Sequence, residues 1–242
     1  LRRLEDVEVL LVVDAAGTAP AVSAPVRLLR AERPGASAAR NLGVAHATQP
    51  VVLFLGDDIV PSRDLLAAHR SFHEARPEDT AALLGHVRFR WRTPFMRWLE
   101  RGIQSDYASI DGDQAGWGHF YTSNVSVKRA LLLRAGGFDE DLPFLYEDLD
   151  LGRRLADLGM DLRYDPKASA IHRHRTTLAG WERRMEQIGA AERAFTDRHP
   201  DVTPYFRDRL ERAAAGTGRH PEARYGRRLY PAFMRGWDRT SR

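Results

Sequence analysis

Val51-Val52-Leu53-Phe54-Leu55-Gly56-Asp57-Asp58 is the stretch that decides the fold. Five apolar residues follow one another without polar alternation, which marks a strand buried on both faces. Glycine and two acids then stop it. Upstream, Val7 to Val13 is a second such run, ending at Asp14 and the small residues Ala15-Ala16-Gly17-Thr18. Val26 to Leu29 is a third short strand. Gly35 to Gly43 reads as a loop running into a helix. Downstream, Pro61-Ser62 opens a helix through about Arg76, with Leu65, Leu66, His69 and Phe72 on one side. Strand, helix and strand in turn predict an α/β domain with a mixed, mostly parallel sheet flanked by helices.

Further along, Ala81 to Arg90 reads as a strand, and Trp91 to Trp117 as irregular. Phe120 to Val127 is strand-like. A short helix over Lys128 to Ala135 is stopped by Gly136-Gly137. Leu151, Leu155 and Leu158 mark one face of a helix over Asp148 to Leu158. Leu178, Trp181, Met185, Ile188 and Phe195 form the apolar stripe of a long helix ending near Pro200. The expected organisation is one α/β domain over residues 1–176 and a helical, basic extension over 177–242.

The chain has 242 residues, 43% of them hydrophobic, and no cysteine. A sizeable core is therefore available, while disulfide scaffolds, thiolate zinc, iron–sulfur clusters and cysteine nucleophiles are excluded. No run approaches the ~20 apolar residues of a membrane span. Of the 37 basic residues all but Lys128 and Lys167 are arginine, and the formal net charge is +4. From Asp201 onward ten arginines face five acids, a net of +5, so the remainder is near −1. The basicity is a C-terminal feature. It suits a solvated surface, or contact with an anionic membrane face or phosphorylated substrate, and gives no reason to expect nucleic-acid binding by the main domain.

Three clusters carry chemistry. Asp57-Asp58 lies just past a buried strand, where ligands of open α/β sheets sit. Two adjacent carboxylates repel, and a hard divalent cation such as Mg²⁺ or Mn²⁺ relieves that. Tyr146-Glu147-Asp148-Leu149-Asp150 places acids at a helix start, where the macrodipole favours them. Asp150 and Arg154 are also spaced for an ordinary i,i+4 ion pair. Ile171-His172-Arg173-His174 is a modest metal signal at a strand end.

In order, Gly-Asp-Asp after a strand, Gly136-Gly137-Phe138-Asp139-Glu140, Tyr146-Glu147-Asp148-x-Asp150 with Arg154-Leu155, and Ala168-x-Ala170-x-His172 resemble the family 2 glycosyltransferases of the GT-A fold, supported by Ala39-Arg40-Asn41-x-Gly43. The resemblance covers about Val7 to His174. It implies transfer of a hexose-type sugar from a nucleotide-sugar donor to a hydroxyl of a glycan, lipid-linked or peptide acceptor, with inversion. By position, Asp58 and His172 match metal or diphosphate ligands, Asp57 the middle of the Asp-x-Asp motif, and Asp148 the general base with Glu147 as fallback. Arg40 and Asp14 match donor-side positions, Trp117 and Asn124 acceptor-side ones. A divalent cation, Mn²⁺ or Mg²⁺, is the implied cofactor, and a cytoplasmic setting, peripheral to the inner membrane face, the implied location.

The chain departs from the pattern at three points. Gly56 replaces the first acid of the metal motif, and Ala15 replaces an acid usual after Asp14. The family's first strand belongs before Leu1, making Leu1 to Asp6 the tail of the helix after it. These departures leave a non-catalytic sugar-nucleotide binder as an alternative reading, and the arginine-rich tail leaves an anionic-surface binding module as another. A dinucleotide-dependent dehydrogenase is disfavoured because no Gly-x-Gly-x-x-Gly follows the first strand. A His/Asp metallohydrolase leaves the Gly-Gly-Phe-Asp-Glu and Glu-Asp stretches unexplained.

Overall fold

The computed structural model describes residues 7–22, 25–142, 145–216 and 221–239. The reading of Leu1 to Asp6 lies outside them. Seven strands and eight helices are described: β1 (Val9–Val13), β2 (Val26–Arg30), α1 (Ala36–His46), β3 (Val51–Leu55), β4 (Ile59–Pro61), α2 (Leu65–Ala75), β5 (Ala81–Phe89), α3 (Pro94–Leu99), β6 (Asn124–Lys128), α4 (Arg129–Arg134), α5 (Glu147–Asp157), β7 (Asp161–His172), α6 (Leu178–Arg198), α7 (Tyr205–Ala215) and α8 (Pro221–Arg239).

The sheet is mixed. Five strands run in the order β3-β6-β5-β7-β4, and β1 with β2 forms a separate parallel pair. Parallel pairing is confined to β1–β2 and β5–β7, and the other three pairings are antiparallel, so the sheet is less parallel than the unalternating strands suggested. Among the described residues no ladder joins the β1–β2 pair to the five-stranded sheet.

β6 explains how the layers pack. All five of its residues are buried. Val125 and Val127 join Leu131, Leu151 and Leu155 in the apolar core under α4 and α5. The alternate residues are polar, and burial requires partners for them. Ser126 Oγ meets Nδ1 of His69 (2.7 Å) and Nε2 of His73 (2.8 Å), both from α2. Asn124 Oδ1 meets His69 Nε2 (3.0 Å), and its amide nitrogen donates to the Ala168 carbonyl (2.8 Å). Burial pushes both imidazoles down to about 4, so they are neutral at pH 7.

Two elements differ from the sequence reading. Ile59–Pro61 forms a strand against β7, so α2 begins four residues later than the Pro-Ser signal suggested. Within Trp91 to Trp117 a short helix, α3, starts at a Thr93 side-chain cap that accepts from the Met96 amide (3.2 Å). It buries Phe95, Met96, Trp98 and Leu99 against Trp181, Met185 and Phe233 of the C-terminal helices.

α6 and α8 approach through glycines. A Cβ on Gly189 would collide with the Phe233 carbonyl, and one on Gly236 with the Glu186 carbonyl. No helix among the described residues is long and apolar enough to cross a membrane. Gly236→Ala is expected to force these helices apart and to destabilise the protein by roughly 1–3 kcal/mol. Chemical denaturation compared with an exposed Arg224→Ala control checks this.

Candidate active site

The ends of several elements meet at one rim. β3 ends at Leu55, opposite Asn124 at the start of β6. β5 ends at Phe89, opposite His172 at the end of β7. β4 pairs Ile59 with His172, which brings the preceding Asp58 beside that histidine. Below the rim lies a cavity of about 680 Å³. Arg40, Asp57, Asp58, Trp117, Glu147, Asp148 and His172 all line it.

Asp14 and Asn124 are not among its lining residues; both are engaged elsewhere. Asp14 Oδ2 accepts from the Gly35 amide (2.6 Å) and Oδ1 from that of Ala16 (3.0 Å). These bonds tie the end of β1 to the start of α1 and hold the carboxyl below its usual value. Asn124 is fully buried, and its amide belongs to the histidine network under β6.

The two acids at the start of α5 stand in different states. Glu147 is buried, and both its oxygens are engaged: Arg40 Nη1 donates to Oε1 (2.7 Å) and the Leu145 amide to Oε2 (2.7 Å). Leu145 has a φ of 104°, a conformation that side chains other than glycine rarely adopt. Such strain persists only where its surroundings over-determine it, and Glu147 supplies one constraint. Asp148 is half-buried and lines the cavity; its Oδ1 accepts from the Leu149 amide (2.9 Å), and the Thr122 backbone also bonds to the carboxyl. Burial, then the charge of Glu147, push its pKa up to about 7 against the opposing pull of Arg40. A half-buried carboxylate with that proton affinity is matched to general-base work near neutral pH. Glu147, the fallback base of the sequence reading, has both oxygens engaged by Arg40 and Leu145.

The glycine-rich loop is carried from two sides. Asn41 Oδ1 accepts from the Phe138 amide (2.8 Å), while its nitrogen donates to the Phe138 carbonyl (2.9 Å) and to Glu140 (2.9 Å). Arg154 donates to the Ala135 and Gly137 carbonyls and pairs with Asp150. Gly137 needs its hydrogen: φ is 71°, and a Cβ would collide with Asn41 Oδ1. The ordered motifs thus form one scaffold that fixes Arg40 against Glu147.

Sequence reasoning missed the contribution of α6 and α7. Glu192 is 1% exposed, and it accepts from the Tyr146 hydroxyl (2.5 Å) and from the Phe206 and Arg207 amides at the start of α7 (2.6 and 2.9 Å). Tyr146 directly precedes the two acids, so the helical segment is fastened to them. The signal was present: Glu192 falls at i+4 from Ile188, an acid in an apolar stripe. Trp181, Ile188, Phe195 and Phe206 complete an apolar wall of the cavity.

His172 Nε2 and Asp58 Oδ2 lie 2.7 Å apart, with Asp57 adjacent. Phe89 packs on the imidazole, ring centroids 5.2 Å apart. Among the described residues no group of three or more His, Cys, Asp or Glu gathers to hold a metal ion. A carboxylate and an imidazole nitrogen nonetheless fit Mn²⁺ or Mg²⁺, which complete their shells with substrate phosphate oxygens and water.

A carboxyl with its folded pKa raised costs stability as pH rises from its unfolded value, 3.8, to about 7. Asp148→Asn is therefore expected to gain stability over wild type across that window, with a constant difference above it. Thermal midpoints measured from pH 4 to 8.5 check this; a pH-independent difference contradicts the raised pKa.

Comparison with known proteins agrees with this geometry. Residues 1–132 match the profile of glycosyl transferase family 2. The pre-mycofactocin glycosyltransferase of Mycobacterium tuberculosis is 34% identical over 180 residues, covering 70% of this chain and 36% of its own length. This chain therefore spans about a third of that relative. An uncharacterised glycosyltransferase, YfnE of Bacillus subtilis, is 23% identical over 58% of this chain and 48% of its own. The mannosyltransferase PcManGT of Pyrobaculum calidifontis, solved with GDP-Man and Mn²⁺, superposes with a TM-score of 0.60 at 19% identity, over 97% of this chain and 77% of its own. GalNAc-T7, solved with UDP, GalNAc and Mn²⁺, gives 0.56 at 15% identity, over 97% and 51%. These likenesses show the GT-A fold. The profile match spans more than half of the sequence, and the chain belongs to glycosyl transferase family 2.

Proposed function

We propose that this chain transfers a sugar from a nucleotide-sugar to an acceptor hydroxyl by a single inverting displacement, with Asp148 as general base. The observation that carries this reading is the division of labour at α5: Glu147 is held by Arg40 and Leu145, and Asp148 faces the cavity with a raised proton affinity. The acceptor oxygen attacks the anomeric carbon, the bond from that carbon to the donor diphosphate breaks, and the hydroxyl proton passes to the Asp148 carboxylate. Asp58 and His172 would hold a divalent cation, which supplies charge stabilisation for the departing diphosphate. Arg40 and Asp57 line the same cavity and are assigned to the donor side. The solved neighbours crystallised with GDP-Man, or with UDP and GalNAc, support a nucleotide-linked donor.

The acceptor side falls to the Trp117 turn and the helical segment from Leu178 onward. Trp117 rests on Phe195, ring centroids 6.2 Å apart, and Arg153 lies over its indole. Trp181, Ile188 and Phe195 of α6 and Phe206 of α7 line the same cavity. An aromatic surface beside the base suits the apolar face of a sugar ring or another flat acceptor group.

Transfer or donor hydrolysis is to be measured over a panel of nucleotide-sugars with Mn²⁺. Asp148→Asn is expected to lower kcat by about 10²–10⁴-fold with little change in nucleotide binding. Activity should fall as pH drops below about 7, because the base must be unprotonated. Chelation should abolish turnover, as should His172→Ala with Asp58→Asn. Undiminished turnover in Asp148→Asn removes the assignment.

A further inference from the structure

The arginine-rich tail is the obvious place to look for an anion site, yet its arginines are largely engaged. Arg228 pairs with Glu182 (2.7 Å), Arg235 and Arg239 with Glu186 (2.7 and 2.9 Å), and Arg209 with Asp106 (2.6 Å). Arg207 sits over Trp237. Much of that positive charge is answered from α6 and from the 106 loop.

The opposite holds at the end of β5. A second cavity of about 580 Å³ is lined by Arg88, Arg90 and Arg92, alternate residues of one run. Among the described residues none of the three pairs with an acid, and Arg90 only rests over Trp91. The cavity's one carboxylate, Glu100, accepts from the Phe89 amide (3.0 Å). Its other titratable groups are His86, whose Nδ1 meets the Tyr164 hydroxyl (2.7 Å), Tyr164 itself and Tyr107. Burial and the charge of Arg88 hold His86 below its usual value, so it adds no charge at pH 7. Three guanidinium groups against one carboxylate in one concavity repel each other unless an anion joins them, and their planar forks match phosphate oxygens. Val87, Phe89, Ser105 and Tyr107 line both this cavity and the one holding Asp58 and Asp148. The two are neighbours across a shared wall.

We propose that this second cavity is an oxyanion subsite for a phosphate or phosphodiester group on the sugar acceptor. The assignment to the acceptor rests on the proposed function. There the donor diphosphate belongs to Asp57, Asp58 and His172, so a second cluster of positive charge beyond Phe89 answers to the other substrate. The exposed Trp91, held between Arg90 and Arg175 (5.6 and 5.8 Å to the ring), offers an apolar surface beside the charge.

The test is calorimetric titration of the full chain with inorganic pyrophosphate, without divalent metal, then again with saturating UDP or GDP and Mn²⁺. Wild type should bind in both conditions. The variant R88Q/R90Q/R92Q should lose roughly tenfold or more in affinity, while D58N/H172A should bind as wild type. The three arginines are exposed, and unchanged thermal midpoints certify the variant's fold. The single variants R88Q and R90Q, each weakening binding partially, serve if the triple variant fails to fold. Co-sedimentation with phosphatidylglycerol vesicles, displaced by pyrophosphate and absent with phosphatidylcholine, would identify a lipid headgroup as the source. Pyrophosphate binding without vesicle binding would identify a soluble phosphorylated acceptor. Absence of binding by wild type, retention in the arginine variants, or full displacement by nucleoside diphosphate with Mn²⁺ overturns the proposal. Failure of the sugar-transfer reading appears separately, as loss of nucleotide-sugar turnover with this binding intact.

Discussion

Two neighbouring carboxylates at the first turn of α5 cannot share one low-dielectric corner on equal terms. The fold resolves this by giving the hydrogen bonds of Arg40 and of the strained Leu145 amide to Glu147. Asp148 then carries the repulsion as a raised proton affinity. Much else serves that asymmetry. α1 presents Arg40, Asn41 beside it clamps the Phe138 backbone, and Arg154 clamps the glycine loop from the other side. A fault in any of these contacts moves the guanidinium that separates the two acids.

The C-terminal helices enter through the same corner. Glu192 is a buried acid, tolerable because the Tyr146 hydroxyl and backbone amides of the first turn of α7 meet it. It joins α6, α7 and the segment before Glu147 in one bonded cluster. The arginines of α8 return to acids on α6, which steadies the helical layer against that cluster. Part of a segment whose composition suggests a basic appendage thus lines the cavity, and a separate group of three arginines lines a second cavity at the end of β5.

The strands with continuous apolar runs were legible: Val51–Leu55 is a strand at those residues, and the helix over Asp148–Leu158 is shifted by one residue at each end. β4 was not, because three residues ending in proline carry no period and the strand exists only through pairing with β7. α3 was hidden by aromatic and arginine residues that mean little until the C-terminal helices supply their partners. Site residues tied to turn chemistry or strand ends came together. Asn124 lies apart from them, in the buried histidine network. A polar residue in an otherwise apolar strand looks alike whether it faces a ligand or, as here, a buried histidine pair. Asp14 likewise found backbone amides close at hand.

The most direct measurement is a carbon-detected NMR titration of the Asp148 side-chain carboxyl, in wild type and in Glu147→Gln. The account predicts a midpoint near 7 in wild type, moving down in the variant, where the neighbouring charge is gone and Arg40 is freed. A wild-type midpoint near 4, or one that ignores the Glu147 substitution, contradicts it.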